Sequence, residues 1–123
     1  RDVYKRQLSA YCGVVSAGAA AIAGLAFVKN EDKEIIKSTI INALATNSGL
    51  LCDGAKESCA AKIASSLKVA NMAYIQAKTG NSFKCGDGIV SDDIDKMIER
   101  VGNIAQKGMR ETDRVILNEM INK

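Results

Sequence analysis

Apolar and polar positions fall in blocks along this chain, and within most blocks the apolar residues recur three and four apart. Val14 to Val28 (VVSAGAAAIAGLAFV) is almost wholly small and apolar, and Lys29-Asn30-Glu31-Asp32-Lys33 ends it with a polar break. Glu34 to Ala45 then carries Ile35, Ile36, Ile40, Ile41 and Leu44, the stripe of a helix. Thr46-Asn47-Ser48-Gly49 has turn composition. Asp53 is placed to cap a long helix from Gly54 to about Lys78, with Cys59, Ile63, Leu67, Ala70, Tyr74 and Ala77 on its apolar face. The glycines of Thr79 to Val90 predict a loop. Ser91 is the expected N-cap of the next helix, whose stripe is Ile94, Met97, Ile98, Val101 and Ile104. Gly108 stops it, and Thr112-Asp113 opens a last helix with Ile116, Leu117, Met120 and Ile121. No segment alternates with period two, and there is no internal repeat. The pattern predicts an all-α, compact bundle of about five helices.

Composition supports long helices. The 123 residues contain no Pro, no Trp and no His, and aromatics make up 4%. Without Pro nothing forces a helix to break. Without His, Ser-His-Asp and Cys-His catalysis and His-containing zinc sites are excluded within this chain. The apolar run Val14 to Val28 would span about 22 Å as a helix, short of the ~30 Å hydrocarbon core of a bilayer. Its Ala and Gly content points instead to a buried helix, with Gly18 and Gly24 where another backbone comes close. No membrane partner is expected.

Charge changes the picture of the N-terminus. Lys plus Arg is 17 and Asp plus Glu is 14, a net charge of +3. Arg1, Lys5 and Arg6 against Asp2 supply +2 of it. Asp2 to Gln7 back-translates into the end sequence of a transposon adapter, so residues 1–7 read as a non-native read-through scar and are set apart from the fold. The remaining 14 basic and 13 acidic residues give +1, which does not point to nucleic acid. Residues 8–123 then read as the C-terminal fragment of a longer protein.

Four cysteines remain: Cys12, Cys52, Cys59 and Cys85. A disulfide framework is possible by count, but long Ala-rich helices and the chain's size argue against it. There is no CxxC pair for zinc. Cys52 and Cys59 would lie about 10.5 Å apart along one helix. An Asp53 cap places Cys52 in the loop instead, free to fold back toward Cys59. There it would sit beside a helix N-terminus, which favours thiolate, the form that binds metal. Backbone N–H groups at Gly54 and Ala55 would be free to hold a carboxylate. The plain alternative is that all four are small buried apolar residues.

Cys12-Gly13 ahead of a small-residue helix, the run Asn47-Ser48-Gly49-Leu50-Leu51-Cys52-Asp53-Gly54-Ala55-Lys56 with Cys59 after it, Gly86-Asp87-Gly88-Ile89-Val90, and Gly108-Met109 through Thr112-Asp113 together resemble one family. It is the L-serine dehydratase alpha-subunit-like family, nearest its L-cysteine desulfidase branch. The resemblance covers Leu8 to Lys123, and CDGAKxxC is its most specific motif. It implies a pyridoxal-independent lyase with a 4Fe-4S cluster, catalysing β-elimination of L-cysteine or L-serine to pyruvate and ammonia; exposed cluster chemistry of that kind points to a reducing cytoplasm. Cys12, Cys52 and Cys59 match the expected cluster ligands; Cys85 matches none. Three thiolates would leave one iron open to act as a Lewis acid on the substrate's β-substituent. Lys56 is then a candidate base, with Ser48, Gly49 and Gly54 as substrate-binding candidates and Asp53 as a cap or a group orienting the Cys52 loop.

The family also implies a separate N-terminal portion with a Gly-Cys-Thr-Glu-Pro motif, absent here. The expected partners are therefore a small amino-acid substrate and the rest of its own polypeptide; a homo-oligomer is left open, because the oligomeric state is not readable from the sequence. The isolated chain is expected to be inactive. The competing reading is a non-catalytic helical interaction or regulatory domain with structural cysteines. Convergence of the Cys12, Cys52 and Cys59 sulfurs would favour the cluster; a Cys12 turned away from the pair would count against it.

Overall fold

The computed structural model describes residues 9–122; the adapter-like heptapeptide lies outside them. The order is α1 (Val14–Val28), α2 (Lys33–Asn47), α3 (Ser58–Lys78), α4 (Ile94–Asn103), a π-helical turn (Ile104–Gly108) and α5 (Arg110–Ile121). The all-α expectation holds: among the described residues the only β-type pairing is a single antiparallel bridge, Tyr11 with Leu51. No described helix is long and apolar enough to cross a membrane.

α1, α2 and α3 pack against one another. The small residues of α1 allow this. A Cβ on Gly18 would collide with Ser66 Oγ and come within 3.2 Å of the Ser66 carbonyl oxygen. Ser66 donates to the Val14 carbonyl at 2.5 Å, so the hydroxyl is held where Gly18 leaves room. Gly24 differs from expectation: it faces open space. The α1–α2 connection turns at Asn30, which takes φ +56, and Glu31 N–H donates back to the Ala26 carbonyl. Glu31 also bonds the Tyr74 hydroxyl and pairs with Lys78 at 2.9 Å, fastening this corner to the end of α3.

The larger core gathers Val15, Ala19, Ile41, Leu44, Ala73, Val90, Met97 and Val101; a smaller one joins Ile22, Ala26, Ala70 and Tyr74. Asn42 is fully buried. Its amide donates to the Ala73 carbonyl at 3.4 Å and its Oδ1 accepts from Phe83 N–H at 3.0 Å. A buried amide satisfied on both sides fixes the register of the 79–93 loop.

Several boundaries moved. α3 begins at Ser58 rather than Gly54, and Asp53 is not its cap. Gly54 at φ +95 is outside helical geometry, and the Asp53 carboxylate is occupied by two lysines. Asp93, not Ser91, caps α4, accepting from Asp95 and Lys96 N–H; Ser91 Oγ accepts from Asp93 N–H instead. The last helix starts at Arg110, two residues before Thr112. Ile63 and Leu67, expected on the buried face of α3, are each 49% exposed. On α5 the one buried residue is Asp113, while Leu117, Met120 and Ile121 are exposed.

Candidate functional site

The site begins with a backbone pairing. Cys12 N–H donates to the Leu50 carbonyl at 2.9 Å and Cys52 N–H to the Ala10 carbonyl at 2.6 Å. Tyr11 therefore stands opposite Leu51. Side chains of paired backbone alternate, which assigns Cys12 and Cys52 to the same side, opposite Tyr11 and Leu51. Forty residues of sequence separation are closed by the α1–α2 hairpin, whose two ends are these two segments. Ser9 Oγ donates to Ala105 O at 2.6 Å, so the π-helical turn anchors the first segment. A π turn breaks the regular ladder and leaves a carbonyl to be satisfied elsewhere.

Cys59 lies in the first turn of α3, and its thiol donates to the Gly54 carbonyl at 3.3 Å, turning it back toward the Cys52 segment. Cys12 is buried, Cys52 and Cys59 are half-buried, and all are free thiols. The three segments are thus brought together, but the sulfurs do not form a ready-made site. Among the described residues no three His, Cys, Asp or Glu side chains stand close enough to hold a metal ion. In donor chemistry the set fits a cluster: three unpaired thiols with no histidine competing.

Cys52 is not beside a helix N-terminus, because α3 starts six residues later. The N–H groups of Gly54 and Ala55 consequently belong to a turn. Asp53 dominates that turn. Its Oδ2 pairs with Lys56 Nζ at 2.5 Å and its Oδ1 with Lys62 Nζ at 2.6 Å. Hydrogen bonds from Lys56, then Lys62, hold its carboxyl well below the usual carboxylate range. Lys56 precedes α3 by two residues, and its ammonium is engaged by Asp53.

Lys62, which no motif of the sequence marks, is a further group of this site. It also donates to the Leu51 carbonyl at 2.7 Å. The bond to Asp53 raises its pKa, burial opposes this, and the charges of Asp53, Cys12 and Cys59 add to the rise. The available signal was spacing: Lys62 follows Cys59 by three, on the same helical face.

Ser48 caps the end of α2, where its hydroxyl bonds the Leu44 carbonyl and lies 3.5 Å from Tyr11 Oη. Burial pushes the Tyr11 phenol up. Gly49 takes φ +131, which lets the chain leave α2 and enter the pairing. The Gly86–Val90 element borders a different feature, an open depression of about 390 Å³ lined by Ala45, Thr46, Phe83, Asp87 and Val90. Cys85, in the same loop, is exposed, and its N–H is held by Asp92.

Residues 3–118 match the family model described as serine dehydratase alpha chain. A UPF0597 protein of Treponema denticola is 52% identical over 115 residues, covering 94% of this chain and 27% of its own length. One from Finegoldia magna is 48% identical over 117 residues, covering 95% and 28%. One from Lachnoclostridium phytofermentans is 52% identical over 116 residues, covering 94% and 28%. The chain thus spans little more than a quarter of the length of these relatives. No solved structure matches it. With its cysteine-bearing hairpin ends and its Gly-Asp-Gly loop in place, the chain belongs to the serine dehydratase alpha chain family, a family of lyase-type enzymes.

Proposed function

We propose that this chain is the iron–sulfur-binding part of a pyridoxal-independent lyase that converts L-cysteine, or L-serine, to pyruvate and ammonia with release of sulfide, or water. The observation that carries the reading is the pairing of the Cys12 and Cys52 segments beside Cys59. Those three thiols would hold a 4Fe-4S cluster, which when bound supplies a Lewis acid for the β-leaving group. β-Elimination breaks Cα–H and Cβ–S with loss of sulfide, or Cβ–O with loss of water for serine, and the enamine product yields pyruvate and ammonia on tautomerisation and hydrolysis. Lys56 is the proposed base; paired with Asp53 it is an ammonium without a lone pair, so it accepts the α-proton only after that pair opens and the ammonium has given up a proton. Ser48, Gly49 and Gly54 are the proposed substrate contacts.

The exposed Leu117, Met120 and Ile121 of α5 and the exposed Ile63 and Leu67 of α3 are proposed to receive the remainder of the polypeptide. Met120 lies against Gly54, so that surface borders the cysteine turn. The proposed setting is the cytoplasm, where thiols stay reduced.

Anaerobic reconstitution with ferrous iron and sulfide tests the reading. Visible charge-transfer absorption and bound iron are expected in the wild-type chain and in Cys85→Ser, with most of both lost in Cys12→Ser, Cys52→Ser and Cys59→Ser. A wild-type chain that takes up no iron favours the second reading, a non-catalytic helical interaction domain. The absence of a three-donor group among the described side chains is the observation on that side. In a full-length relative, pyruvate release from cysteine against serine assigns the substrate.

A further inference from the structure

Lys62 joins elements that no helix holds together. Leu51 to Glu57 belongs to no helix, and Gly54 there takes φ +95. The backbone bond from Cys52 N–H to Ala10 O ties this stretch to the opposite segment. Lys62 is fixed in the second turn of α3 and reaches across with one ammonium. It binds the Leu51 carbonyl at 2.7 Å and Asp53 Oδ1 at 2.6 Å, the residues immediately before and after Cys52. Lys56 meets only the other oxygen of Asp53 and does not span Cys52. The Lys62 side chain is 22% exposed, so these bonds are less screened than those of a free surface lysine.

We propose that Lys62 is a positioning residue that clamps the Cys52-bearing turn to α3 from both sides and sets a positive charge beside the cysteines. A turn without such a tether opens locally at low free-energy cost. Two charge-assisted bonds flanking Cys52 remove that freedom. Negative charge that gathers on the thiols would then meet an ammonium already in place, with no reorganisation needed. The functional meaning of the clamp rests on the ligand reading of Cys52; the clamp itself does not.

Amide hydrogen exchange in the 123-residue chain tests it. Losing the cation is expected to speed exchange at Cys52 N–H about tenfold in Lys62→Met, while amides in the α1 and α2 core stay unchanged. Lys62→Arg, which keeps charge and donors, is expected to stay near the wild-type rate. If Lys62→Met does not fold, Asp53→Asn replaces it, with an expected rise of about threefold because the Leu51 bond remains. An unchanged Cys52 rate overturns the clamp, and so does a Lys62→Arg rate as fast as that of Lys62→Met. Bound iron after reconstitution is the second readout: Lys62→Met is expected to hold less than wild type, and equal loading overturns the charge role. A wild-type chain without iron defeats the cluster reading alone, and the exchange rates still decide the clamp.

Discussion

The two halves of α3 carry one apolar face and meet different fates. Toward its C-terminus, Ala70, Ala73, Tyr74 and Ala77 are buried against α1 and α2. Ahead of Ala70, Ile63 and Leu67 on the same face are each half exposed. Three of the four residues buried in the C-terminal half are alanines, and at mid-helix Gly18 lets α1 close in on Ser66. The N-terminal half has larger apolar residues that nothing among the described residues covers fully. α5 belongs with this open half: its end touches Gly54, and its apolar residues face solvent around a buried Asp113. Periodicity marks a face; it does not supply the partner. Cys12, Cys52 and Cys59 lie at the junction of the two regions, where the closed core ends and the open surface begins.

If the closed half is a true core, removing its contents costs most. Met97 is fully buried and is the main anchor of α4. Met97→Ala is expected to lower unfolding free energy by about 2–5 kcal/mol in urea titration. A cost under about 1 kcal/mol would mean that α4 is not seated and would erase the contrast. Asn42→Ala comes next. It strands the Phe83 N–H in a partly buried position, for an expected loss of about 1–3 kcal/mol, with faster exchange at Phe83 as the local readout.

The closed half was readable from sequence. Val14–Val28 keeps its expected bounds, because an unbroken apolar run that follows Gly13 and ends in a polar break leaves one helical solution. The Gly18 contact was legible because glycine inside a helix costs propensity unless something needs the space; Gly24 looked the same and had no such neighbour. Asp53 misled for a physical reason. A carboxylate ahead of a helix is a good cap, but here two lysine ammoniums compete for it more strongly than backbone N–H groups, and Gly54 turns the chain away. Lys56 is visible as an adjacent partner, whereas Lys62 depends on how the turn folds back. The cysteine pairing was the hardest part to see, since Cys12 and Cys52 are joined only through the α1–α2 hairpin. Motif resemblance named those residues; local spacing did not.

The open half should tolerate what the closed half does not. Ile63→Ser and Leu117→Ser are each expected to change the stability of this chain by no more than about 0.5 kcal/mol. In a full-length relative the matching substitutions are expected to cost more, read as a lower melting temperature, if the remainder of the polypeptide covers this face. A large loss in the short chain would show that the face is already packed, and the comparison would fail there.

The smallest effect is electrostatic and sits on the boundary itself. Asp53 has a folded-state pKa below its unfolded value, because Lys56 and Lys62 bond its carboxylate. A depressed carboxylate contributes stability above its unfolded pKa, about 3.9, and that contribution fades as pH falls toward the folded value. Asp53→Asn removes the contribution. The urea midpoints of wild type and Asp53→Asn should therefore differ by a constant, small amount from neutral pH down to about pH 5 and converge below about pH 4. Glu31, also lowered by its bonds to Tyr74 and Lys78, is present in both proteins and cancels from the difference. A gap that persists unchanged in acid would mean that the Asp53→Asn substitution disturbs the turn by shape rather than charge. A gap that closes with acid, alongside faster Cys52 exchange in the same variant, would place the Asp53 charge pair at the hinge between the packed core and the open face.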